Sequence, residues 1–135
     1  PLYNLYDRAT FEQDLQPLCL AQGVGVINFY ALASGFLSGK YRSVEDAGKS
    51  ARGTGIVQKY LNPRGLRIVQ VLDEVATRLQ AAASEVALAW LLRQDAVTAP
   101  IASATSLPQL QSLLRAARLQ LDAEALRALD HASTP

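Results

Sequence analysis

Residues 24–42 read VGVINFYALASGFLSGKYR, and the change of texture inside this run decides the fold class. Val24 to Tyr30 is short, β-branched, aromatic and nearly all apolar, the composition of a strand covered on both faces. From Ala31 the pattern breaks. Glycines stand at 35, 39, 48, 53 and 55, mixed with Ser, Lys and Arg. A stretch as long as 31–55 without its own period reads as a functional loop. A buried strand therefore hands its C-terminal end to a long, small-residue loop.

Upstream of this run, residues 1–5 read as a short strand. Thr10-Phe11-Glu12-Gln13 has the T-x-x-Q form of a capping box. Phe11, Leu15, Leu18 and Cys19 follow at helical spacing and Gly23 stands at a C-cap, so a helix is expected over 11–22. Downstream, Leu66 to Leu79 is amphipathic, with Ile68, Leu72, Val75 and Leu79 on one side and Arg67, Asp73, Glu74 and Arg78 on the other. Ser84 reads as the cap of a helix over 84–94, whose run Ala87-Leu88-Ala89-Trp90-Leu91-Leu92 predicts deep burial. Val97 to Ile101 is another short apolar strand. Ser106-Leu107-Pro108-Gln109 is a second capping box opening a helix over 106–117, and Asp122 caps a last one over 122–131.

Strands at 1–5, 24–30 and 97–101 alternating with helices predict an α/β fold with parallel pairing. Three strands cannot close a barrel, which takes ~250 residues. The bulk numbers exclude other classes. The 135 residues are 50% hydrophobic and 19% charged, which is globular composition. No apolar run reaches the ~18 residues of a membrane span. Thirteen basic and twelve acidic residues leave a net charge of +1, no footprint for nucleic acid. Cys19 is the single cysteine. It reads as a buried small hydrophobe, no metal site is expected, and the cytoplasm is the expected compartment.

Two segments could carry chemistry. The first is Phe29 to Tyr41. An aromatic at a strand's end can face a planar ring, small residues admit backbone N–H groups close to an anion, and Lys40 adds a point charge. As composition alone, the same residues also mark an ordinary loop. The second runs from Ala99 to Leu110. A strand ends, hydroxyls cluster and a capped helix begins, presenting N–H groups and a positive dipole end. Ordinary capping by Ser106 is the other reading.

Leu32-Ala33-Ser34-Gly35-Phe36-Leu37-Ser38-Gly39-Lys40-Tyr41-Arg42 resembles the "SPLASGFLTGKYR" segment of aldo-keto reductases, in the branch of bacterial general-stress oxidoreductases and potassium-channel β subunits. Pro1-Leu2-Tyr3-Asn4-Leu5 is similar to that family's "QPxYNL". Lys59-Tyr60-Leu61-Asn62, Ala87-Leu88-Ala89-Trp90 and Ala99-Pro100-Ile101 follow in the family's order. The resemblance implies the C-terminal part, about strands 6–8 with their helices, of a (β/α)8 TIM barrel, incomplete as given, with residues 1–135 forming one portion of that barrel domain. It further implies an NAD(P)H-dependent reductase acting on a small-molecule aldehyde or ketone, with NADP as cofactor and NAD as the alternative.

Carried over by resemblance, Phe29 takes the place of the aromatic that stacks on nicotinamide. Tyr30, Ala31, Leu32, Ala33 and Ser34 take the place of the loop along the diphosphate. Lys40 and Arg52 match cations that contact cofactor phosphate. Ser103, Thr105 and Gln109 match positions around the adenosine phosphate. There are departures: Tyr30-Ala31 replaces the commoner Ser-Pro, and Ser112 and Leu113 replace the Glu-Asn pair that grips adenine. The family's Asp, Tyr, Lys and His tetrad has no counterpart here. Asp7, Lys40, Tyr41 and His131 are not expected to assemble into one, Asp7-Arg8 reads as a structural ion pair or cap, and His131 as a solvated surface residue. No catalytic residue is assigned. Two readings follow: the cofactor-binding portion of a reductase, or a catalytically inactive fragment with at most a nucleotide-binding or interaction role. An α/β domain without a ligand is the third.

Overall fold

Strands β1 (Val26–Asn28) and β2 (Val97–Pro100) run parallel in a computed structural model that describes all of residues 1–135. Val26 pairs with Val97, Ile27 with Ala99 and Asn28 with Pro100, so the register slips at Thr98. On the other edge of β1, Leu2 forms a parallel bridge to Phe29. The parallel pairing expected from the element order is present, but all three extended segments are shorter than expected. Residues 1–5 contribute only that bridge. Asn4 Oδ1 accepts from the backbone N–H groups of Tyr6 and Asp7, both at 2.8 Å, an Asx turn that takes the chain out of the sheet. The expected strand 24–30 shrinks because Tyr30 adopts φ 54°, outside the extended region.

The expectation of a strand covered on both faces is also corrected. Val26 and Asn28 are buried, but Ile27 is 59% exposed and Phe29 42%. Nothing in residues 1–135 packs fully over the face that carries them.

Helix α1 (Gln16–Gln22) continues from a π-helical turn, Phe11–Leu15. Thr10 is already helical and caps nothing with its side chain, so the first expected capping box is not made. Glu12 is used elsewhere, accepting from Tyr3 Oη and Arg8 Nε, each at 2.8 Å. The π turn spends an extra residue. Phe11 and Cys19 consequently share the buried side, whereas Leu15 and Leu18, expected on the same face, are exposed.

The stretch read as a long loop is largely structured. Ala33–Ser38 and Val44–Lys49 are 3-10 turns, and helix α2 (Gly53–Tyr60) begins inside it. Gly53 was read as a loop signal, but its role is close approach: a Cβ there would collide with the Ala47 carbonyl oxygen. Helix α3 (Pro63–Leu79) starts ahead of the expected Leu66 because Asn62 caps it, accepting from Gly65 N–H at 3.0 Å, with Pro63 in the first turn. Helix α4 (Ala83–Leu92) takes Ala82 as its N-cap, not Ser84, and the Ala82 N–H donates to Glu85 Oε2 at 3.3 Å. Helices α5 (Leu107–Arg118) and α6 (Ala123–Ser133) keep their expected caps, Ser106 and Asp122.

The core lies among α3, α4 and α6. Ile68, Val69, Leu72, Val75 and Ala76 of α3 meet a wholly buried run, Val86 to Leu91, of α4. Trp90 is 0% exposed. Its indole N–H donates to Asp130 Oδ1 at 2.9 Å, and its ring centroid lies 5.6 Å from that of Tyr3. Each large apolar side chain buried here contributes ~1.5–3 kcal/mol. No helix is long and apolar enough to cross a membrane.

Candidate functional site

Because the strands are parallel, the loops leaving β1 and β2 emerge at the same end of the sheet. They enclose a cleft of ≈390 Å³ lined by Tyr30, Ala31, Leu32 and Ser34 from one loop, Ile101, Ala102 and Ser103 from the other, and Arg52. A second cleft of ≈360 Å³ adjoins it, sharing Tyr30, Ser34 and Arg52 and adding Phe29, Ile56, Lys59 and Tyr60. Seven of the residues singled out from the sequence meet here: Phe29, Tyr30, Ala31, Leu32, Ser34, Arg52 and Ser103. Ala33 lies fully buried beneath its loop.

Lys40, Thr105 and Gln109 do not line either cleft. Gly39 at φ 78° turns the chain just before Lys40. The Lys40 ammonium sits over the Tyr41 ring at 5.6 Å, and its carbonyl accepts from Lys49 Nζ at 2.9 Å. Gln109 Oε1 accepts from the Thr105 N–H at 2.7 Å and from its hydroxyl at 3.0 Å. The second capping box is thus half made: Ser106 receives the Gln109 N–H, but the Gln109 side chain turns to Thr105. Ser112 faces α4. Its hydroxyl donates to Glu85 Oε1 at 2.8 Å, beside Arg115 Nε at 2.9 Å.

The loop after β1 is held in a conformation that side chains disfavour. Tyr30, Ala33 and Ser34 have φ of 54°, 50° and 58°, followed by Gly35 at 96°. Each non-glycine residue there costs roughly 1–2 kcal/mol. Two asparagines hold the segment. Asn4 Nδ2 donates to the Tyr30 carbonyl at 2.9 Å, and Asn28 Nδ2 donates to the Tyr3 carbonyl at 2.8 Å. Asn28 Oδ1 is buried without a protein partner. Strain and unpaired polar atoms of this kind concentrate at functional sites.

Charge in the cleft comes from Arg52 and Lys59. Lys59 Nζ pairs with Asp7 Oδ1 at 2.9 Å and lies 4.7 Å from the Tyr60 ring centroid. Burial pulls the lysine pKa down, but Tyr60 and Asp7 outweigh it and raise it, so the group is cationic at neutral pH. An Asp, a Lys and a Tyr do meet here, as a hydrogen-bonded cluster. The Tyr60 phenol donates to Asp7 Oδ2 at 2.7 Å, and burial together with Asp7 pushes its pKa up to about 12, away from the near-neutral value general acid chemistry favours. Asp7 pairs with Lys59 and Tyr60 while Lys40 lies over Tyr41, and no three His, Cys, Asp or Glu side chains form a metal site. Asp7 and Arg8 do not pair with each other: Asp7 pairs with Lys59, and Arg8 with Glu12 and Asp130.

Sequence reading missed Lys59 and Tyr60 as cleft residues and Asn4 and Asn28 as supports. The first pair had a legible signal, since Ile56, Val57 and Tyr60 repeat at helical spacing. The asparagines had none, because their partners are backbone atoms up to 26 residues away.

The family pattern described as "Aldo/keto reductase family" matches residues 1–134. The L-glyceraldehyde 3-phosphate reductase of Escherichia coli (strain K12) is 32% identical over 121 residues, covering 86% of this chain and 35% of that one. A putative voltage-gated potassium channel subunit beta of Schizosaccharomyces pombe is 31% identical over 137 residues, covering 96% and 40%. A crystal structure of a thermostable aldo-keto reductase in complex with epalrestat superimposes with a TM-score of 0.69 at 22% identity, over 97% of this chain and 38% of that one. The chain spans little more than a third of the length of these proteins.

Proposed function

Because this chain belongs to the aldo/keto reductase family, we propose that it is the cofactor-binding portion of an NAD(P)H-dependent carbonyl reductase, the last part of a TIM barrel. The observation that carries this reading is the convergence of the β1 and β2 loops on one cleft that combines exposed aromatic rings with Arg52. These residues fit a dinucleotide. Phe29 offers a face to the nicotinamide ring. Arg52 and the loop from Tyr30 to Ser34, left-handed at Tyr30, Ala33 and Ser34, suit the diphosphate, and Ser103 is assigned to the adenosine side. The nicotinamide, when bound, supplies hydride to an aldehyde or ketone. NADP is the proposed cofactor by family resemblance alone, and because residues 101–106 carry no cation for a 2′-phosphate, NAD is the alternative. The cytoplasm, where unpaired thiols persist, is the proposed compartment.

A second reading has its own support. The phenol in the cleft is tied to Asp7 and its pKa is raised, away from the near-neutral value that suits general acid chemistry. On this reading the portion binds nucleotide and reduces nothing by itself.

Titration of the full chain and its Phe29→Ala variant with NADPH and with adenosine diphosphate tests the site. Phe29→Ala is expected to weaken NADPH about three- to tenfold, from ~0.5–1.5 kcal/mol of ring stacking, and to leave adenosine diphosphate unchanged. Equal losses for both ligands, or none, would remove Phe29 from the nicotinamide site.

A further inference from the structure

We infer that Lys59 is a second cation for the phosphate groups of the cleft's ligand, aimed by Asp7. The inference rests on the reading of this cleft as a nucleotide site and extends it to a residue outside the segments that define it. Arg52 precedes α2 and Lys59 stands in its last turn. Seven residues are about two helical turns, so both fall on one face, about 10 Å apart along the axis. Both line the same cleft, with Tyr30 between the loops and Ile56 and Tyr60 as walls.

The support beneath Lys59 is more elaborate than a surface ion pair needs. Asp7 Oδ2 accepts from Tyr60 Oη at 2.7 Å and from Asn4 Nδ2 at 3.3 Å, which leaves Oδ1 for the lysine at 2.9 Å. The same Asn4 amide holds the Tyr30 carbonyl, so one carboxylate ties the cation's position to the strained loop. An ammonium has three donors. It can keep Asp7, lie against the Tyr60 ring, and still donate to a ligand oxygen. Asp7 acts as a positioning residue whose negative charge also opposes the ligand's.

Titration of the full chain at fixed low salt with NADPH, adenosine diphosphate and inorganic pyrophosphate tests this. Lys59→Gln should weaken all three about two- to fivefold, the scale of an exposed charge contact, and Lys59→Arg should restore them. Asp7→Asn keeps the shape and can still accept from Tyr60, so it should tighten binding by a similar factor. The share of that gain that comes from no longer neutralising the ammonium should be lost in the Asp7→Asn, Lys59→Gln double variant. If Lys59→Gln leaves affinities unchanged while Arg52→Gln weakens them, Lys59 is only a structural partner of Asp7 and the nucleotide reading stands. If pyrophosphate binding depends on Lys59 while the nucleotides do not bind, the nucleotide reading falls and the role of Lys59 stands. Failure of all three ligands to bind overturns both.

Discussion

Helix α4 and strand β2 lie four residues apart in sequence, yet they sit in opposite surroundings. From Val86 to Leu91 every α4 residue is buried, and the polar groups at its ends are answered, Trp90 by Asp130 and Glu85 by Ser112 and Arg115. No β2 residue reaches full burial, and its partner β1 presents Ile27 and Phe29 outward. The helical layer is a core that this chain closes by itself. The sheet leaves one face partly open, and the candidate cleft opens from that side.

Trp90→Ala should give the largest effect, since it removes the centre of the closed layer and leaves a cavity. A loss of ~3–5 kcal/mol is expected, read as a lower denaturant midpoint. A loss below about 1 kcal/mol would mean that the helical layer is loosely packed and the contrast is false.

An intermediate effect is expected at Glu85, at the edge of that layer. Burial raises its pKa, but hydrogen bonds from Ser112, Arg115 and the Ala82 N–H outweigh it and hold the carboxyl below its ordinary 4.5. With the folded value depressed, the contribution is present above the ordinary value and is lost as pH falls through the folded one. Glu85→Gln should cost about 1 kcal/mol at neutral pH and flatten the acid limb of the stability curve. An acid limb identical to that of the parent would assign it to other carboxylates.

Ile27→Thr, on the open face, should change stability by no more than ~0.5 kcal/mol. A loss well above this, especially one that grows with protein concentration, would show that the face is covered in solution.

Legibility followed the same division. Helices α3, α5 and α6 could be read because their apolar faces repeat and their caps, Asn62 aside, are typical sequence signals. Helix α2 was hidden by glycines at 53 and 55 that look like loop punctuation; Gly53 is there to let the backbone pass Ala47. The β1 loop was legible as part of a site, because strand ends and small residues mark such loops. Its conformation is not, since φ is left-handed at the non-glycine residues Tyr30, Ala33 and Ser34, and the Tyr30 carbonyl is held by Asn4 from the first segment. Lys40 shows the opposite case. Its identity suits a phosphate, but it lines neither cleft and its ammonium lies over the Tyr41 ring. Charge type can be read along a chain, whereas direction depends on backbone dihedrals that tertiary contacts set.

The π turn at Phe11–Leu15 bears on the history of this segment. Its wide loop of backbone accommodates one residue more than an α-helix would, and it brings Phe11 and Cys19 closer into line than the roughly 80° that eight positions leave between them on a regular α-helix. In terms of descent, that residue behaves as an insertion absorbed on the spot. A version of the chain one residue shorter between Phe11 and Cys19 could wind as ordinary α-helix and present the same two side chains inward. Losing that one residue would then be neutral for the core, while losing two would turn Cys19 away from it.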